Sequence, residues 1–319
     1  MIRRWMAALS TGYILMFFSE YLFVNVEQVT PALLLNAIPM LIAYTLAAYV
    51  FLGLLYHNRV RNIWALFLAG AAFGWLLEGV IVQTMYEAFP FFVPFTGLSW
   101  HALIDVLVGF WLVRKVLADG RRRSIVHTAI LLGLFWSTWA IWTHWETGEF
   151  MPPGEFVPFA FVASLPLLPA YWLLRRTEPF QPQRYEWRVL LGLAVLMFVV
   201  VVVMIPYAVL VLPPLMWLIL RALRRHRDSS APATILITFD APVHPLHYAL
   251  LLLMPLVASV TYVVYWTLEV KVATNVLLYL TTVPLSVGMF VRAIRKLHRE
   301  PIPVTPAENP DTVAPVPTG

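Results

Sequence analysis

The chain has 319 residues, of which 61% are hydrophobic and only 12% charged, against roughly 25% charged in a soluble domain. That balance excludes a water-soluble globular fold and predicts an all-α, polytopic membrane protein whose first partner is the lipid bilayer. The formal net charge of +5 sits on residues at segment ends, so it reads as an orientation signal and not as a nucleic-acid footprint; the absence of cysteine rules out disulfides, thiolate metal sites and a Cys nucleophile.

A helix needs about 20 apolar residues to cross the hydrocarbon core. Such runs occur near 5 to 25, 31 to 56, 62 to 86, 99 to 118, 124 to 143, 157 to 174, 247 to 267 and 275 to 293. Arg3 and Arg4 precede the first run, but it continues to Val24 without a small-residue cleavage site, so it reads as a span and not as a secretory signal. The stretch from Val189 to Leu220 carries no charge and as one helix would be about 48 Å long, too long for a single crossing of ~30 Å. Pro206, Pro213 and Pro214 predict that it breaks into a hairpin of two spans.

Ten spans with both termini cytoplasmic place every one of the 22 basic residues except Lys271 on the inner side, as the positive-inside rule requires. The predicted location is therefore the cell membrane, multi-pass. Three parts follow: residues 1–186, six spans bearing polar groups; residues 187–300, four apolar spans that could also meet a membrane-protein partner; and residues 301–319, a Pro-rich tail expected to be disordered and cytoplasmic. The segment Thr234-Ile-Leu-Ile-Thr-Phe239 has the β-branched character of a short cytoplasmic strand.

An ionisable side chain inside the bilayer costs about 2.5–3.5 kcal/mol and so calls for an explanation. Glu20, Glu78, His101, Asp105, His144 and Glu146 all fall on the outer side of the first five spans, with Asn25, Glu27, Glu87 and Glu149 in the adjoining loops. Small residues share a helical stripe with them on four spans: Gly12, Met16, Glu20; Gly70, Gly74, Glu78; His101, Asp105, Gly109; and Gly133, Ser137, Ala140, His144. Small residues mark the faces where membrane helices approach closely, so the four stripes are expected to point into one bundle.

The expected catalytic residues are Glu78, Asp105 and His101, with His101 and Asp105 one turn apart for proton transfer or metal ligation. His101, Asp105, His144 and Glu20 form the expected ligand set of a divalent zinc, manganese or iron ion. A haem held by His101 and His144 is disfavoured because His101 is too near the surface. The remaining histidines read as interfacial. No HExxH or GxSxG string is present. Trp136, Trp139, Trp142 and Trp145 read first as an interfacial aromatic belt and second as a π-rich wall for an acyl or isoprenoid chain. The Phe- and Pro-rich loop from Glu87 to Gly97 and the loop from His144 to Phe150 would lie over the site. The leading function is an enzyme acting on an apolar, lipid-like or isoprenoid substrate. The alternatives are a proton- or cation-coupled transporter and a structural or assembly subunit.

Overall fold

The computed structural model describes residues 1–23, 29–177, 179–227, 235, 239 and 242–299. These residues form an all-helical structure with no strand among them, and seven of its helices are long and apolar enough to cross a membrane. Asn25 and Glu27, the expected strand other than Ile235 and Phe239, and the tail 301–319 lie outside the described residues.

Helix α1 (Ile2–Met16) runs on into a π turn (Phe17–Tyr21), and α2 spans Pro31–His57, opening on a proline whose missing N–H costs nothing at that position. Helix α3 (Ile63–Leu76) begins where the Asn62 side chain accepts from the N–H groups of Trp64 and Ala65, and it ends in a second π turn, Leu77–Ile81. After short turns at Thr84–Tyr86 and Phe92–Pro94 comes α4, a π-helix over Phe95–Leu112 that returns to α geometry across Val113–Asp119. Gly120, at φ +67°, ends it.

The remaining helices are α5 (Arg122–Ala140), followed by a short Thr143–Thr147 helix, α6 (Pro153–Ser164, continued by Leu167–Thr177), α7 (Arg184–Met204), α8 (Ala208–His226), α9 (Leu253–Thr267, entered through Pro245–Ala249) and α10 (Thr274–Arg299). The uncharged stretch does break, at Ile205 to Tyr207 around Pro206, while Pro213 and Pro214 stay inside α8.

Close packing follows the glycines. A Cβ on Gly12 would fall 2.8 Å from Thr45 Cα, so α1 rests directly on the α2 backbone. Gly70 lies against Ala102 and Val106, and Gly74 against His101 and the Gly97 carbonyl, which brings α3 onto α4. Gly133 instead meets the Met254 carbonyl and Ala258, so the small face of α5 packs on α9. In α3, 78% of the most apolar window is buried, whereas only 11% of that of α7, and the same share of α10, is buried. Hydrogen bonds fasten these outer helices. Ser286 and Ser99 hydroxyls meet at 2.8 Å, and Glu186 at the start of α7 accepts from Arg4, Trp5 and Tyr49.

The π segments raise an accounting question. Widening a helix from i→i+4 to i→i+5 bonding leaves carbonyls without their usual partner, and in lipid no water can satisfy them. Aromatic donors reach carbonyls at the ends of these segments. Trp100 Nε1 reaches the carbonyls of Phe18 and Ser19 at 3.2 Å, the Tyr86 hydroxyl donates to Gly79 at 3.2 Å, and the Tyr171 hydroxyl donates to Gly109 at 2.7 Å.

Candidate functional site

The three π segments carry the polar residues. Glu20 sits in the first, Glu78 in the second, and His101 and Asp105 in the third. Non-standard helical turns of this kind concentrate at functional sites.

His101, 1% exposed, bridges two carboxylates: Nδ1 lies 2.6 Å from Asp105 Oδ2 and Nε2 lies 2.8 Å from Glu78 Oε1. Ionised carboxylates only accept hydrogen bonds, so two bonds at one imidazole need two protons. Either His101 is an imidazolium between two carboxylates, or it is neutral and one carboxyl is protonated; both descriptions leave the trio with one net negative charge. The chain has a direction. Glu78 is 13% exposed and faces a cavity, while Asp105 is wholly buried and its Oδ1 has no hydrogen-bond partner.

A second polar pair adjoins the first. The Tyr44 hydroxyl donates to Glu20 Oε1 at 2.5 Å and lies 2.6 Å from the Ser19 hydroxyl. Glu20, Ser19, Glu78, His101 and Glu87 all line one cavity of about 640 Å³. Its remaining walls are mainly aromatic. The Phe23 ring stands 4.5 Å from Trp100, 5.1 Å from Trp139 and 5.7 Å from Trp142, and the indoles of Trp139 and Trp142 both donate to the Phe23 carbonyl. Phe92 and Phe95, from the loop expected to lie over the site, complete the lining together with Tyr279 of α10.

Glu78 and Asp105 thus each contact His101, and Glu20 shares the cavity of Glu78 and His101. His144 does not join them. The α-helix ends at Ala140, so the phase of the Gly133 stripe is lost, and His144 stacks on Phe150 at 4.5 Å, away from the cavity lining. No group of three or more His, Asp or Glu residues among those described is placed to hold a metal ion, and both nitrogens of His101 are already engaged by carboxylates. The tryptophans divide: Trp139 and Trp142 form wall, Trp136 is buried core, and Trp145 is exposed.

Two contributors were invisible as site residues in the sequence. Tyr44 is one of four hydroxyl-bearing residues in the long apolar α2, beside Thr45, Tyr49 and Tyr56, and Ser19 is a small uncharged neighbour of Glu20. Comparison with protein-family models, with curated proteins and with solved structures finds no match for this chain.

Proposed function

We propose that the chain is a ten-span membrane enzyme with both termini cytoplasmic, whose cavity opens toward the outer leaflet and performs acid–base chemistry on an apolar, isoprenoid- or lipid-like substrate. The observation that carries this reading is the Glu78, His101, Asp105 chain ending on the wall of an aromatic cavity. Glu78 delivers a proton to a substrate double bond, and His101 resupplies it while Asp105 holds the imidazole in place. Positive charge then develops on carbon beside the faces of Trp100, Trp139 and Trp142, which favour cations. Glu20, on the same cavity, removes a proton from a neighbouring carbon. One proton enters and one leaves, so the product is an isomer or ring-closed form of the substrate. Topology is supported by the placement of all basic residues but Lys271.

The test compares whole-lipid extracts by mass spectrometry and chromatography from cells producing wild type, Glu78→Gln and Asp105→Asn at matched abundance. Wild type is expected to convert one apolar species to an isomer, and both variants to lose the conversion. Identical extracts from all three would overturn the proposal.

A second reading, proton-coupled transport, is favoured by the buried end of the chain at Asp105, since a carboxyl shielded from water on both sides suits a coupling site. Under it, Asp105→Asn in proteoliposomes would abolish substrate movement driven by a pH gradient and preserve exchange.

A further inference from the structure

A second cavity, about 540 Å³, lies on the opposite face of α3, between α2 and α3 on one side and α7 and α8 on the other. It shares no lining residue with the first. Along α8 its lining runs from Leu212 to Arg224, about 18 Å at 1.5 Å per residue, with Arg227 just past the helix end, which matches one leaflet of a bilayer with the start of its headgroup zone. The body of this groove is apolar. Polar groups gather at one end, where Arg224 and Arg227 are exposed and His57 and Asn58 close the floor. No described lining residue is a carboxylate.

The basic end is built. Trp187 lies so close over Gly53 that a Cβ there would fall 2.2 Å from its ring, and the same indole packs against His57 at 5.1 Å between centroids. His57 Nε2 is buried there without a hydrogen-bond partner. An apolar trough one leaflet deep, with a cationic mouth lined by no described carboxylate and an idle imidazole nitrogen, complements a single amphiphile: an acyl chain carrying an anionic phosphate.

We propose that this groove is a binding site for one anionic phospholipid of the cytoplasmic leaflet, with the phosphodiester held by Arg224 and Arg227 and accepting from His57, and one acyl chain lying between α3 and α7. The assignment is independent of the chemistry at Glu78. Basic pockets between membrane helices recognise acidic headgroups, and two arginines near the surface favour an anionic over a zwitterionic lipid by about thirtyfold.

The experiment is native mass spectrometry of the purified full chain with added dioleoyl phosphatidylglycerol, dioleoyl phosphatidylcholine, or inorganic phosphate. Wild type is expected to retain one phosphatidylglycerol in strong preference to phosphatidylcholine. The double variant Arg224→Gln with Arg227→Gln should lose that preference, and Ala194→Trp, which fills the groove and leaves the arginines in place, should lose the lipid. Arg221→Gln is the control, because that guanidinium lies over Trp217 on the same helix and does not line the groove; it should retain the lipid. Equal retention of the two lipids, equal loss in Arg221→Gln, or unchanged binding in Ala194→Trp would each overturn the assignment. Displacement by inorganic phosphate alone at millimolar concentration would also overturn it, by showing that the apolar trough contributes nothing.

Discussion

Replacing Gly74 by alanine should break the bond between Glu78 and His101 without touching either residue. The new Cβ would lie 2.6 Å from His101 Cβ, 2.9 Å from the Gly97 carbonyl and 3.0 Å from Gly97 Cα. Carbon atoms pack at about 3.5–4.0 Å. Two of the obstructing atoms are backbone, so α3 and α4 must part by about 1 Å. Glu78 is on α3 and His101 on α4, and their 2.8 Å bond would stretch to about 3.8 Å, beyond hydrogen-bonding reach. The His101 to Asp105 bond lies within α4 and survives. Overpacking costs about 1–3 kcal/mol and a lost bond to a charged group about 1.5–3 kcal/mol, with about 1 kcal/mol returned by the better helix former. The assay is a double-mutant cycle with Glu78→Ala, read from the unfolding midpoint in mixed detergent and SDS. In the parent, Glu78→Ala should cost about 1.5–3 kcal/mol; in the Gly74→Ala background it should cost close to nothing, because the bond has already gone. Additive costs, within about 0.5 kcal/mol, would refute the argument that the glycine stripe sets the site.

Glu186→Ala should lower stability by about 2–3 kcal/mol in the same assay, since it strands the buried hydroxyl of Tyr49 and the indole of Trp5 together with Arg4; a loss below about 0.5 kcal/mol would show that α7 is held by apolar packing alone. Tyr171→Phe should cost about 1–3 kcal/mol by leaving the Gly109 carbonyl of the π-helix unsatisfied, and a neutral outcome would mean that this carbonyl finds another donor. Because the chain has no native cysteine, single cysteines report topology directly: an impermeant thiol reagent should label Glu149→Cys in intact cells and Arg121→Cys only after permeabilisation, and the reverse pattern would invert the proposed orientation.

Helices, seven of them long and apolar enough to cross a membrane, were legible in the sequence because apolar length and proline placement are local properties. The break at Pro206 is an instance: a residue that cannot donate, in a stretch too long for one crossing. Contact between Glu78, His101 and Asp105 was legible for a different reason, since an ionisable group beside a run of small residues has few places to be in lipid other than a helix interface. The same reasoning failed at His144. It assumed that one helical phase persists from Gly133 to His144, and the end of α5 at Ala140 cancels that phase. Tyr44 and Glu186 were missed because their importance depends on which helices meet, and no spacing within α2 or α7 announces a partner on α1. Nor does residue type reveal π geometry, which depends on donors such as Trp100 and Tyr171 supplied from elsewhere in the chain.

A π turn closes its hydrogen-bonded ring with one residue more than an α turn, so along the sequence it is equivalent to a single inserted residue. In α1 and α3 that surplus residue falls after the packing glycines and at the carboxylate. Each helix therefore holds one register up to the turn, set by its neighbour, and closes on a last turn rotated from that register by up to about 100°. Deleting one residue from the second turn, Leu77–Ile81, would restore an unbroken α frame, leave Gly70 and Gly74 seated on α4, and swing the end of that turn and the segment leaving it round by that angle. Related chains that share the scaffold but lack the site are then expected to be one residue shorter in each of these two helices, a difference visible as paired gaps in an alignment.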